Sequence, residues 1–292
     1  MQTLHEVRYL RAAIRAEKQN GKRVALVPTM GNLHEGHMQL VRRAHEVADC
    51  VVVSIFVNPM QFGESKDLDN YPRTMEEDRA KLQAENTHYL FVPDNNEIYP
   101  NGTELHTKVN VDALDGFLEG ASRQGHFEGV CTVVNKLFNL VQPSLSVFGE
   151  KDYQQLAIVR RMVEDLCMPV DIVGLPTVRE ANGLAMSSRN GHLSQAERND
   201  AGVIYRELQA VRDRILAGER NFEALCAEAK NEISAAGLVP DYFDVRDASS
   251  LAVVDTPADD AKLVVLAAAY MGEIRLLDNI SIALGDSSAN NR

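Results

Sequence analysis

The chain has 292 residues, 45% of them hydrophobic and 25% charged, with a formal net charge of −12. That length carries one large domain or two unequal ones, and the apolar fraction supports a core without disulfides or metal. The acidic balance argues against a nucleic-acid binder, which needs an extended basic surface; if the substrates are anions, the cations must be gathered in a pocket.

The polar start, Met1 to Glu6, lacks a signal-peptide apolar core, and the longest apolar run, Leu263 to Tyr270, is the size of a strand and not of a membrane span. Cys50, Cys131, Cys167 and Cys226 form no C-x-x-C pair and read as scattered core thiols of a reducing compartment. Asn101-Gly102-Thr103 reads as an Asn-Gly turn. These features predict a soluble, cytoplasmic protein with no membrane partner.

Val24 to Val27 is a buried strand, followed by a helix face at Met38, Val41, Ala44 and Ala48. Val51 to Val57 is a second strand, continuous enough to be covered on both faces. Thr74 and Glu77 form a capping box that opens a helix towards Ala84, and Tyr89 to Val92 is a third strand. Val130 to Val141 then reads as a helix, Leu145 to Phe148 as a strand, Leu156 to Leu166 as a helix and Val170 to Leu175 as a strand. This alternation predicts a Rossmann-like, doubly wound parallel α/β sheet with ligands at the carboxyl ends of its strands.

The texture changes near Ser194. Helical segments at Gln195 to Ala217 and Phe222 to Ala236 precede strands at Tyr242 to Val245, Leu263 to Tyr270 and Ile274 to Leu277. The expected organisation is a ligand-binding domain over 1–180, a smaller α+β domain over 186–284 and a disordered tail over 285–292, with the boundary between Pro176 and Ser187.

Four clusters carry chemistry. Pro28-Thr29-Met30-Gly31-Asn32-Leu33-His34-Glu35-Gly36-His37 joins a strand to a helix start. A helix N-terminus offers N–H groups and a positive dipole end to phosphate, and Gly36 allows close approach because it has no Cβ. His34 and His37, three apart, share one face. Asn58 and Gln61, just past the second strand, carry amides that suit a substrate with hydroxyls and a carboxylate. Gly149-Glu150-Lys151-Asp152-Tyr153-Gln154-Gln155 follows the strand at Leu145. There Lys151 suits charge developing on phosphate, Asp152 suits a helix cap, a ribose or Mg²⁺, and Gln155 suits an acid substrate. Met186-Ser187-Ser188-Arg189-Asn190 offers hydroxyls and a guanidinium to phosphate oxygens from a loop that can close over a nucleotide. Arg123, in the Glu119 to Phe127 loop, reaches an acid or phosphate or is solvated; Val178 packs on a base or is a plain core residue.

The H-x-G-H string resembles the nucleotidylyltransferase superfamily, and Pro-Thr-Met-Gly-x-Leu-His-x-Gly-His resembles the pantothenate synthetase (pantoate–β-alanine ligase) family. The Phe148 to Gln155 and Met186 to Asn190 segments are similar to that family in the same order. The resemblance implies an AMP-forming ligase that adenylates pantoate with ATP and Mg²⁺ and passes the pantoyl group to β-alanine. It implies an ATP site at Pro28, Thr29, Met30, Gly31, His34, Gly36, His37, Gly149, Glu150, Lys151, Asp152, Val178, Met186, Ser187, Ser188 and Arg189. His34, His37, Lys151 and Arg189 would act on the reacting phosphate, and Asn58, Gln61, Arg123 and Gln155 would bind pantoate and β-alanine. No side-chain metal site is implied beyond Mg²⁺ near Asp152. A homodimer is implied, without a nucleic-acid partner. Another nucleotidyl transferase, a small tRNA-linked synthetase and a non-catalytic nucleotide sensor are the competing readings; the charge opposes the second, and the full set of cations opposes the third.

Overall fold

Six strands, β1 (Gln2–Leu4), β2 (Val24–Thr29), β3 (Cys50–Ile55), β4 (Tyr89–Phe91), β5 (Leu145–Gly149) and β6 (Asp171–Leu175), form one sheet in the order β1-β4-β3-β2-β5-β6. Every neighbouring pair is parallel. The computed structural model describes residues 1–62 and 68–285; the tail expected to be disordered lies outside them from residue 286 on. Val24 to Val27 and Val51 to Val53 have no exposed surface, as strands covered on both faces require.

Among the described residues, the long helices that join these strands are α1 (Val7–Gln19), α2 (Glu35–Val47), α3 (Met75–Ala84), α4 (His126–Val141) and α5 (Tyr153–Asp165). Right-handed crossovers put connections that run opposite ways along the sheet on opposite faces. Accordingly α1 packs with α4, and α2 packs with α3. Ala25, Val27, Val51, Val53, Met38, Val41 and Ala44 meet in one apolar cluster between α2 and the sheet.

Several local expectations change. β1 and α1 are absent from the sequence reading, although α1 is amphipathic and buries Leu10 and Ile14, four apart on one face. Thr74 is the N-cap of α3, yet its side chain makes no cap bond, so the expected capping box with Glu77 does not form. The Thr74 hydroxyl turns instead to Asp78 Oδ1 at 3.2 Å. Of the four expected core thiols, Cys50 and Cys131 are buried, Cys226 is half-buried and Cys167 is exposed.

The contacts divide the chain into two units: Met1–Glu150 with Gln154–Pro176, and Lys151–Tyr153 with the chain from Thr177. In the second, β7 (Val239–Asp247), β8 (Lys262–Met271) and β9 (Ile274–Ala283) form an antiparallel sheet in that order. The helix expected over 195–217 is two, α6 (Gln195–Ala201) and α7 (Val203–Leu216), which meet at Gly202; α8 (Phe222–Ala235) follows. Gly202 lies close to another backbone segment, since a Cβ there would stand 2.8 Å from the Asn182 carbonyl oxygen. None of the helices among the described residues is long and apolar enough to cross a membrane.

β2 is the switch point of the parallel sheet. The chain leaves it through α2 for β3 on one side, and β5 flanks it on the other. β2 and β5 pair only at Ala25–Leu145 and Leu26–Ser146, where Ser146 Oγ also donates to Leu26 O at 2.9 Å. Pro28 has no N–H to extend that ladder. The two strand ends therefore part, leaving the kind of crevice in which such sheets bind ligands.

α4 closes on the short 3₁₀ turn Pro59–Gln61 that follows β3. Gly129 makes this approach possible: a Cβ there would lie 2.5 Å from the Met60 carbonyl and 2.6 Å from Gln61 N. Gly129→Ala is expected to destabilise the fold by about 1–3 kcal/mol through overpacking. Urea unfolding should show a lower midpoint with unchanged slope, and an unchanged midpoint would contradict this packing.

Candidate functional site

The turn between β2 and α2 places the first cluster. Thr29 Oγ1 donates to Ser54 O on β3 at 2.8 Å and accepts from Gly31 N at 3.3 Å. Gly31 has φ +85°, and a Cβ there would press within 3.1 Å of Ile55 and 3.2 Å of Asp78. Asn32 also has positive φ, 49°. A backbone bent this way cannot pair with the sheet, and its N–H groups need another acceptor. Asp78 supplies it: the carboxylate, 1% exposed, accepts from Asn32 N at 2.8 Å and Leu33 N at 2.7 Å. Lys81, one turn on along α3, donates to Leu33 O at 2.6 Å.

His34 lies outside the helix as its N-cap, and His37 is the third helical residue. The two form a reciprocal capping box in which His34 Nδ1 accepts from Gly36 N at 3.1 Å and His37 Nδ1 accepts from His34 N at 3.3 Å. Backbone N–H groups only donate, so both Nδ1 atoms are acceptors and each ring carries its proton on Nε2. The rings stand 4.1 Å apart, centroid to centroid. The expected pairing of the two histidines is present, brought about by the cap itself.

Asn58 and Gln61 follow β3. Asn58 is 1% exposed and uses its whole amide within the fold. Nδ2 donates to Gly129 O at 3.0 Å and to Gln61 Oε1 at 3.1 Å. Oδ1 accepts from Tyr99 OH at 2.7 Å and from Met60 N at 3.4 Å. Burial pushes the Tyr99 phenol pKa well up, so the hydroxyl keeps its proton as a donor. Gln61 Nε2 stands 3.2 Å from Met30 Sδ, which joins this cluster to the β2 turn. His126 Nδ1 bonds Gln61 O at 2.9 Å, and Arg123 reaches His126 Nε2 at 3.3 Å. The loop before α4 is therefore held at the Gln61 turn. Its Glu119, 7% exposed, is fixed through its own N–H by Gln154 Oε1 at 3.0 Å.

Gly149 and Glu150 end β5 at the crevice. The two glutamines that follow differ in use: buried Gln154 also donates to Leu114 O and Phe117 O, while the side chain of half-buried Gln155 makes no hydrogen bond among the described residues. A cavity of about 400 Å³ opens at the carboxyl ends of β2, β3 and β4, walled by Met30, Gly31, Phe56, Thr74, Asp78 and Asp94 among others.

The second unit holds the remaining residues. Lys151 is mostly buried, with Nζ 3.6 Å from Asp152 Oδ1, and its carbonyl accepts from Asn279 Nδ2 on β9 at 2.9 Å. Met186 N donates to Val178 O at 2.9 Å in a narrow hairpin that leads into Ser187. Ser187 caps a 3₁₀ turn, Ser188–His192, by accepting from Arg189 N at 3.3 Å. Asn190 pins that turn from beneath, donating to Glu180 at 2.8 Å and Ala185 O at 3.0 Å. Arg179 anchors the hairpin on Asp278 through both oxygens, at 2.5 and 3.0 Å, with its guanidinium 3.5 Å above the Tyr205 ring. Lys151 and Ser187 share the wall of a cavity of about 10 Å³, room for roughly one water. Among the described residues no group of three or more His, Cys, Asp or Glu side chains is gathered for a metal ion.

Sequence reading missed Asp78, Tyr99, Asp278 and Asn279. Asp78 follows Glu76 and Glu77 and looks like one more acid in a first helical turn. Asp278 and Asn279 carried a usable signal, since each is 5% exposed inside an apolar strand whose expected end, Leu277, falls just before them.

A parallel sheet opened at its switch point, with a capped helix N-terminus and a polar turn beside it, defines a Rossmann-like α/β ligand-binding protein. A family model described as pantoate–β-alanine ligase matches residues 2–281. The pantothenate synthetase of Pseudomonas putida strain W619 is 54% identical over 291 residues, covering 99% of this chain and 100% of that one. The crystal structure of pantothenate synthetase from Thermus thermophilus is 45% identical, with a TM-score of 0.85 over 96% of this chain and 99% of that one. Pantoate–β-alanine ligase from Francisella tularensis, complexed with beta-gamma ATP and β-alanine, is 32% identical, with a TM-score of 0.77 over 96% and 97%. The chain belongs to the pantoate–β-alanine ligase family.

The Asp78 clamp makes a prediction of its own. Asp78→Ala strands two N–H groups, one of them on the buried Leu33, and is expected to cost about 1–3 kcal/mol per unsatisfied group. Denaturant unfolding reads that loss, and an unchanged unfolding free energy would show that the clamp bears no load.

Proposed function

We propose that this chain condenses pantoate with β-alanine, using ATP, through a pantoyl-adenylate intermediate. A carboxylate in water does not react with an amine; it must first carry a leaving group. A pantoate carboxylate oxygen attacks the α-phosphorus of ATP, the bond to the bridging oxygen breaks, and pyrophosphate leaves. The β-alanine amine then attacks the acyl carbon, the acyl–oxygen bond breaks, AMP leaves, and the amine gives up a proton. Neither step needs a covalent enzyme intermediate.

The observation that carries this reading is the junction at Met30. The same turn that leads to the His34–His37 cap at the N-terminus of α2 touches the Gln61 amide, with Met30 Sδ 3.2 Å from Nε2. A helix end of the kind that suits phosphate is thus joined through Met30 to an amide suited to an acid, which supports adenylation of a carboxylate. In this reading the Nε2–H groups of His34 and His37 and the backbone at Gly31 and Gly36 take phosphate oxygens. Gln61, Arg123 and Gln155 take the acid and the amino acid.

Lys151, Ser187, Ser188 and Arg189 supply further donors to phosphate, and Val178 and Met186 lie along the adenine. Mg²⁺ enters with ATP as part of the substrate, held chiefly by its phosphates, with Asp152 as the side chain assigned to it. A cytoplasmic homodimer without nucleic acid completes the proposal, supported by family membership and the charge of −12.

Pantoate-dependent exchange of labelled pyrophosphate into ATP, with Mg²⁺ and without β-alanine, tests the first step. Exchange is expected, and its absence in folded, ATP-binding protein would overturn the adenylate route. Lys151→Ala should slow exchange by roughly 10²–10³, the loss typical of one donor to developing charge. A variant that turns over like the native chain would remove Lys151 from the mechanism.

A further inference from the structure

We infer that Asn58 acts through Gln61, as a positioning residue: it fixes the Gln61 amide with the nitrogen turned away from Asn58 towards Met30, so that the acid substrate meets a hydrogen-bond donor. The inference rests on the proposed function and deepens it, by naming which atom of Gln61 selects the substrate.

The polarity of Asn58 is set by two partners that have no choice. The Gly129 carbonyl can only accept, and it takes Nδ2 at 3.0 Å. The Met60 N–H can only donate, and it meets Oδ1 at 3.4 Å. Turning the Asn58 amide over would set donor against donor and acceptor against acceptor in a residue 1% exposed. Tyr99 OH reinforces the same orientation at 2.7 Å. The second Nδ2 hydrogen then goes to Gln61 Oε1 at 3.1 Å. Gln61 is thereby fixed in its turn, because its own flip would set two NH₂ groups against each other.

What Asn58 leaves uncommitted is Nε2 of the 7% exposed Gln61, whose neighbour Met30 Sδ at 3.2 Å is only a weak acceptor. The backbone of Gln61 is held as well, by His126 Nδ1 on its carbonyl at 2.9 Å. A group presented this way takes an acceptor oxygen, as on a carboxylate or hydroxyl, and turns an ammonium away. Pantoate offers only oxygens. β-Alanine can engage through its carboxylate alone, which leaves its amine to react.

Nothing in this arrangement requires Asn58 to touch substrate, since all four hydrogen-bonding positions of its amide are occupied within the fold. That separates the inference from a direct binding role for Asn58.

A double-mutant cycle on the full chain, read by pantoate-dependent pyrophosphate exchange, decides between the two. Asn58→Asp keeps the shape, removes both Nδ2 donors and lets Gln61 turn its NH₂ inward. It is expected to raise the pantoate KM roughly 10–100-fold, the loss of a hydrogen bond to a charged group, while the ATP KM stays within about 2-fold. In a Gln61→Ala background the same change should alter the pantoate KM by less than about 2-fold, because the residue it acts through is gone. An equal effect in both backgrounds would overturn the inference and make Asn58 a direct contact.

Gln61→Glu keeps Asn58 intact and covers the case in which Asn58→Asp does not fold. The carboxylate it introduces can still accept from Asn58 but offers substrate no donor. This variant should raise the pantoate KM as much as Gln61→Ala does; a native KM would sink the inference. Failure of the unmodified chain to exchange at all would instead overturn the proposed function.

Discussion

Two backbone N–H groups at the end of the central strand, those of Asn32 and Leu33, point away from the sheet, and the buried Asp78 carboxylate accepts both. The rest of the candidate site hangs from that bond pair. A parallel sheet has no means of ending a central strand in a fixed direction, since its ladder simply stops where the strands part. Asp78, borne by α3, sets that direction by holding the chain through Gly31 and Asn32 in left-handed backbone. The turn then delivers Met30 towards Gln61 and His34 to the N-cap of α2. An acid in this position costs desolvation, which its backbone donors and the Thr74 hydroxyl offset.

Polar side chains around the crevice fall into two kinds, and neighbours in sequence differ. Asn58 and Gln154 place their amides on backbone carbonyls and N–H groups and behave as fixtures. Gln61 is half fixed, one end bound and the other facing Met30. The Gln155 side chain is held by no hydrogen bond among the described residues. A site of this design needs few groups that meet substrate and many that orient them, because an amide that can turn over recognises nothing in particular. The histidine pair obeys the same logic, with each Nδ1 spent on a backbone N–H so that the opposite nitrogen is a donor by necessity.

The second unit repeats the principle with charge. Arg179 and Asp278 form a mostly buried, two-point pair that ties the hairpin before Ser187 to β9, and the adjacent Asn279 holds the Lys151 carbonyl. One dipeptide on a strand thus anchors two stretches that carry proposed phosphate ligands. A buried pair of this kind is poor evidence for stability; its evident contribution is geometric.

Much of the fold was legible in the sequence because burial on both faces leaves an unbroken record. Val24 to Val27, Val51 to Val53 and Leu145 to Phe148 are strands where apolar runs say so, and the turn after β2 was marked by glycine, histidine and position. Strand order is another matter, since β1 joins the sheet beside β4, far away in sequence, through bonds any residue can make. The chain by itself determined which elements form and which residue types stand at the strand ends, because local periodicity and strand-to-helix turns depend on neighbours in sequence. Only the tertiary structure decided that Asp78 clamps the turn, that Gly129 brings α4 onto Gln61, and that Asn58 is a fixture which leaves Gln61 Nε2 beside Met30. Those assignments depend on contacts between segments tens of residues apart, such as Asp78 with Leu33 and Asn58 with Gly129, and such contacts leave no periodic trace in the sequence.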